Sequence, residues 1–160
     1  MEHKISTGVI IPKDNKILLI KHVHPENGFT WWVPPGGGIK GTESLFDAAK
    51  REVFEESGLK VELDKLLFMR QLIYRVQNKN VVTTYLLANL IDGDLTIENI
   101  KGAGMDEHFI KEAKFFSKEE IQEIKVFPEH LQSESFWDDL NAGFPQFKFL
   151  GTELDQEKND

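Results

Sequence analysis

The stretch Gly37 to Leu59 reads GGIKGTESLFDAAKREVFEESGL, and its second half is the most informative part of the chain. From Thr42 to Ser57 the composition turns to Glu, Ala, Lys, Arg and Leu, all good helix formers, with Thr42 or Ser44 available as N-cap and Gly58 as C-cap. On that helix Glu52 and Glu56 are four apart and Glu52 and Glu55 three apart, so the carboxylates share one face and repel. A hard divalent cation removes the repulsion, and oxygen ligands without cysteine select Mg²⁺, or Mn²⁺ as substitute, over zinc. Arg51 stands four before Glu55, where its planar fork can orient a carboxylate, although an ordinary surface pair explains the spacing equally well. Glu43 precedes the apolar residues of the helix, where negative charge favours the N-terminus. Gly36, Gly37 and Gly38 follow Pro34 and Pro35, and such a run lets a ligand or metal approach the main chain.

On the N-terminal side, residues 4 to 11 and 16 to 23 read as paired strands joined by Pro12 to Asn15, and Thr30 to Val33 is β-prone until Pro34 and Pro35 stop regular pairing. Residues 60 to 76 and 81 to 91 form a second expected hairpin, and 92 to 108 a loop. A strand follows through Ala113 to Phe116, then a short helix whose capping box is Ser117 and Glu120, then a last helix from Pro128 to about Asn141. The expected domain covers 1–150, with 151–160 a disordered acidic tail. Length supports that count, since 160 residues make one ordinary domain.

With 27 acidic against 19 basic residues the net charge is -8, which disfavours nucleic acid and anionic lipid as partners. Zero cysteines exclude disulfides, thiolate zinc sites and thiol nucleophiles. No apolar run reaches membrane-spanning or signal-peptide length, and the cytoplasm is the expected location.

The full spacing is a glycine, five residues, Glu43, seven residues, Arg51, Glu52, an aliphatic residue, any residue, Glu55, Glu56, any residue, Gly58 and an aliphatic residue. It resembles the complete signature of the Nudix hydrolases, and at average residue usage a random window matches it on the order of once in 10⁹. The resemblance implies an α+β fold, a mixed β-sheet sandwiched between α-helices. It also implies a Mg²⁺-dependent hydrolase that cleaves the pyrophosphate linkage of a nucleoside diphosphate joined to another group. In that reading Glu52, Glu55, Glu56 and the carbonyl of Gly36 hold metal, Arg51 organises the glutamates, and Glu55 bridges metal or acts as base. The family often places a further catalytic glutamate before the last strand, where Glu98, Glu107, His108 and Glu112 lie; Glu107 is the expected one.

Substrate choice lies outside the signature. Lys21, Arg70 and Tyr74 are the expected substrate contacts on strands, and of Trp31 and Trp32, which point oppositely if extended, Trp32 is the one expected to stack on a base. The absence of proline between Pro35 and Pro128 argues against ADP-ribose-type members, leaving a nucleoside triphosphate or a dinucleoside polyphosphate. The partner is then a small-molecule nucleotide, with a homodimer left open. An RNA-end pyrophosphohydrolase and a non-catalytic nucleotide sensor stand as alternatives, the latter disfavoured because all three glutamates are kept. The isomerase branch of the fold needs a cysteine that is absent.

Overall fold

A computed structural model describes residues 1–155. In chain order it contains β1 (Glu2–Ile10), β2 (Pro12–Lys13), β3 (Lys16–Val23), β4 (Thr30–Val33), β5 (Gly36–Gly38), α1 (Leu45–Ser57), β6 (Lys60–Tyr74), β7 (Lys79–Asp92), β8 (Ile110–Ser117), α2 (Glu134–Asn141) and β9 (Lys148–Leu154). One sheet has the order β5-β1-β7-β6-β9, mixed because β1 runs parallel to β7 and β9 parallel to β6. The other is antiparallel, with β3 paired to β2 at its start, to β4 at its end and to β8 along its length.

The apolar runs explain why the sheets are covered on both faces. Along β3, Ile17 and Leu19 enter one hydrophobic cluster with Phe136 and Trp137 of α2. Leu18 and Ile20 enter another with Ala49 and Val53 of α1. A strand buried on both sides needs continuous rather than alternating apolar residues, which is how Ile17 to Ile20 reads. The expected sandwich between helices is therefore present, built on two sheets.

Helix α1 starts where its caps allow. Ser44 accepts from the Asp47 N–H at 3.1 Å, and Gly58 closes the helix at φ 73°, a conformation costly for any side chain. The cap at Ser44 contributes about 1 kcal/mol.

Four expectations change. Gly36–Gly38 is not a stop: it pairs antiparallel with Ser6 to Gly8 as β5, because glycines let the main chains approach where a Cβ on Gly36 would collide with the Thr7 carbonyl. The capping box forms, with Glu120 N–H on Ser117 Oγ at 3.1 Å, but opens a single 3₁₀ turn, Glu120–Glu123. The last helix is split into a 3₁₀ turn, Glu129–Gln132, and α2, because Ser133 turns extended and caps the Phe136 N–H at 3.1 Å. Most consequentially, the expected disordered segment from 151 is strand as far as Leu154. It is held beside β6 by main-chain pairing and by Asp155 on the Arg75 N–H at 2.9 Å. Residues 156–160 lie outside the described residues.

Candidate active site

Helix α1 buries Ala48, Ala49, Glu52, Val53, Glu56 and Ser57. Two carboxylates therefore occupy a stripe that an ordinary amphipathic helix fills with apolar side chains. Glu52 is 4% and Glu56 2% exposed. They lie within hydrogen-bond reach of each other, and Glu56 Oε1 accepts the Gly36 N–H at 3.1 Å. A Cβ on Gly37 would stand 2.5 Å from Glu52 Oε1, so the missing side chain makes the space in which this carboxylate sits.

Burial, followed by the charge of Glu52, pushes the Glu56 carboxyl well above its usual range. Burial also raises Glu52, opposed by its hydrogen bond from Arg51. Glu52 Oε2 is buried with no hydrogen-bond donor. A desolvated, unpaired carboxylate oxygen beside a second carboxylate is costly for the protein alone, and a divalent cation would relieve it. The oxygen-only donor set fits Mg²⁺ or Mn²⁺.

Arg51 is the hub of the outer layer. Its Nη1 donates to Glu52 Oε1 at 2.9 Å and to Glu55 Oε2 at 3.3 Å, and its Nη2 to Glu43 Oε2 at 3.0 Å and to the Gly38 carbonyl at 3.2 Å. Arg51 is thus far more than one surface i,i+4 pair. Its hydrogen bonds draw the Glu43 carboxyl down to about 2, and Glu43 in turn raises the guanidinium above its usual value. Glu55 lies on the flank of the helix rather than with Glu52 and Glu56. Among the described residues no three His, Cys, Asp or Glu side chains already converge as a ready-made ligand set.

A cavity of about 620 Å³ opens on this cluster, lined by Glu52, Glu55, Gly38, Lys40 and, from the opposite loop, Asp106. Here the expected loop carboxylate is corrected. Glu107 faces away, accepts the Gly102 N–H and lines a different cavity with His24 and His108. Asp106 is the loop acid near the glutamates, close enough to add to the rise of Glu56. Which face a residue presents inside the 3₁₀ turn Met105–His108 carries no sequence signal. Glu98 pairs with Lys101, and Glu112 lies 4.0 Å from Lys21, so neither reaches the cluster.

Two expected substrate contacts are also corrected. Trp32 is 7% exposed and packs edge-on against Phe116 in the core. Lys21 lies over the Trp32 ring and beside Glu112, and lines no cavity with the glutamates. Trp31 is half-buried and stacks with His22 and Phe29 at centroid distances of 5.3 and 5.5 Å. Its wall faces a second cavity, of about 630 Å³, that also takes in Arg70 and Tyr74. Burial holds the His22 imidazole below its usual range, so the ring stacks as a neutral one near pH 7. Arg70 is buried at 8% and donates from Nε to the Tyr85 hydroxyl at 3.1 Å. A shallow pocket shares Val33 with this second cavity and runs to Gly36 and Gly37, the neighbours of Gly38 on the first.

Comparison with known proteins agrees with this geometry. A model of the NUDIX domain matches residues 2–136. An ADP-ribose pyrophosphatase of Methanocaldococcus jannaschii is 34% identical over 121 residues, 75% of this chain and 65% of the relative. An asymmetrical bis(5′-nucleosyl)-tetraphosphatase of Rattus norvegicus is 32% identical over 93 residues, 55% of this chain and 62% of the relative. The chain thus spans less than two thirds of either. The crystal structure of a NUDIX hydrolase from Nitrosomonas europaea superposes with a TM-score of 0.72 at 25% identity, covering 97% of this chain and 81% of that one.

Proposed function

This chain belongs to the Nudix family, and on that basis we propose that it is a divalent-metal-dependent pyrophosphohydrolase. Its substrate would be a nucleoside diphosphate linked to a further group. The observation that carries the reading is the pair of buried carboxylates on α1, one oxygen of which has no donor, packed against Gly36 and Gly37. ADP-ribose and a bis(5′-nucleosyl) tetraphosphate, the substrates for which the two relatives are named, share that linkage, and so does a nucleoside triphosphate. A small nucleotide is the partner that a net charge of -8 tolerates, provided a cation mediates. A cytoplasmic location, with Mg²⁺ and nucleotides at hand, suits this chemistry.

Glu52, Glu56 and the carbonyl of Gly36 would hold the cation, with Glu55 reaching it from the flank. Bound there, Mg²⁺ would neutralise charge on the pyrophosphate oxygens as the bond breaks. Arg51 holds one oxygen of Glu52 and one of Glu55, which would fix the rotamers of both side chains where they line the cavity. Lys40, on the cavity rim, adds positive charge beside the phosphates. Glu55 and Asp106 border the same space from the helix and from the opposite loop, and either would take a proton from attacking water.

The decisive experiment incubates a nucleotide panel with Mg²⁺ and identifies products by mass. Two phosphorylated products from a linked nucleoside diphosphate are expected, with excess chelator stopping turnover. Persistent hydrolysis after dialysis into chelator would end the metal-dependent reading, and tight binding without cleavage would favour a sensor. Millimolar Mg²⁺ should also raise the melting temperature, because a ligand of the folded state alone stabilises by mass action, about 2.7 kcal/mol at a hundredfold excess over Kd.

The loop acids separate in a second test. Asp106→Asn is expected to lower kcat by roughly 10²-fold, the lower end for a positioned base, and Glu107→Gln to leave it within about twofold. The reverse order of effects would restore Glu107.

A further inference from the structure

Strand β9 lies beyond residue 136, where the match to the family ends, and yet it builds a wall of the second cavity. Opposite it stand Trp31, Phe29 and Phe127, a largely apolar aromatic wall of the kind that receives a planar ring. The charged side chains on the cavity are Arg70 from β6 and Glu153 and Asp155 from the C-terminal segment, with His24 at its edge. Two carboxylates against one guanidinium repel phosphates, so this cavity suits the nucleoside end of a substrate whose phosphates lie at Gly36 and Gly37. The distance allows it: Val33 borders both regions and is three residues from Gly36, at most about 10 Å of extended chain.

The acids differ in what they are free to do. Asp155 is committed, accepting the backbone N–H groups of Arg75 at 2.9 Å and Val76 at 3.4 Å. Among the described residues Glu153 has only Arg70 Nη1 at a loose 3.9 Å, and its side chain is 62% exposed at the cavity mouth. Arg70 is held from the other side by the Tyr85 hydroxyl on Nε, with Nη1 turned toward Glu153 and both residues lining the cavity. A donor fork beside an acceptor carboxylate matches an edge that carries two acceptors followed by two donors. Guanine presents this pattern with N7 and O6, then N1–H and the N2 amine, whereas adenine lacks O6 and N1–H.

We propose that β9 adds a base-reading wall to this enzyme and that Arg70 and Glu153 on it select guanine nucleotides. This deepens the pyrophosphohydrolase reading and rests on it for the placement of the phosphates. The test is equilibrium binding, measured calorimetrically in chelator, of guanosine, inosine and adenosine 5′-monophosphates to the full chain and to Glu153→Gln. The wild-type protein is expected to bind GMP on the order of tenfold more tightly than AMP, with IMP between them because it lacks only the N2 amine. Glu153→Gln should lose most of that preference while AMP affinity stays within about twofold. The residue is exposed, so the variant folds, which its melting temperature checks.

Equal affinities in the wild type, a preference for adenine, or a guanine preference untouched in Glu153→Gln would each overturn the proposal. Guanine-selective binding without hydrolysis of any linked guanosine diphosphate would leave the base-reading wall standing and remove the hydrolase reading instead. Hydrolysis with no base preference would do the opposite.

Discussion

Glu56→Gln is expected to cut turnover by at least roughly 10²-fold and at the same time to raise the melting temperature of the metal-free protein. The loss follows from replacing a charged ligand by a neutral amide, which holds a cation less well and leaves the phosphate charge less compensated in the transition state. The gain has a separate cause. Glu56 is buried beside Glu52, and each charge makes the other more expensive. In the variant the amide oxygen still accepts the Gly36 N–H, while the new NH₂ group can donate toward the Glu52 carboxylate, whose Oε2 has no donor in the native chain. Relieving one such group adds about 1–3 kcal/mol, several degrees for a chain of this size.

The sign of the pH dependence supports the same experiment. A carboxyl whose pKa is raised on folding binds its proton more tightly when folded, so stability is fully present below its ordinary value of 4.5 and is lost as pH rises through the elevated one. Melting temperatures of the chelated protein should therefore fall as pH climbs above 4.5, and Glu56→Gln should flatten that decline. A variant less stable than the native chain in chelator would refute the picture of strained, buried carboxylates. Unchanged activity would remove Glu56 from the site.

The second large effect is expected from Arg51→Ala. It strips the donors from Glu52 Oε1 and Glu55 Oε2, and leaves Glu43, Glu52 and Glu55 with no countercharge between them. Removing one member of a buried pair costs about 3–5 kcal/mol, and since the Arg51 side chain keeps 22% of its exposure about 2–3 kcal/mol is the better expectation. Turnover should drop by roughly 10–100-fold, the usual cost of losing a residue that orients ligands. Arg51→Lys restores the charge but cannot reproduce the fork to Glu52, Glu43 and the Gly38 carbonyl, so an intermediate loss is expected. Added Mg²⁺ should recover part of the stability in both. Thermal unfolding and steady-state kinetics on the two variants decide it: a melting temperature within about a degree of wild type would make Arg51 an ordinary surface partner.

These glutamates also mark where local spacing stops being informative. Their positions on α1 could be read directly, because i, i+3 and i+4 spacing on a helix is fixed by 3.6 residues per turn whatever surrounds it. Their inequality could not. Glu52 and Glu56 turn into the protein while Glu55 stays on the flank, because Gly36 and Gly37 bring the β5 main chain against one side of the helix only. The tryptophans show the same limit. Alternation along β4 places Trp31 and Trp32 on opposite faces, but their partners across the strand pair, His22 and Lys21, are both polar and half-buried, so neither neighbour reveals which face meets solvent.

The family, the helix that carries the carboxylates, the caps that bound it and the all-oxygen character of the site were legible in the chain before folding, since each depends on spacing within one element or on composition. Whatever requires two distant segments to meet came only with packing. It placed Asp106 instead of Glu107 across from the glutamates, Trp31 instead of Trp32 on the second cavity, and the C-terminal residues 148–154 as a strand beside β6 that brings Glu153 to Arg70. The physical reason is that a polar, acidic segment such as GTELD has no hydrophobic face to announce a strand. Its order comes from main-chain hydrogen bonds to β6 and from the partners waiting at Gln71 and Arg75, none of which are neighbours until the chain has folded.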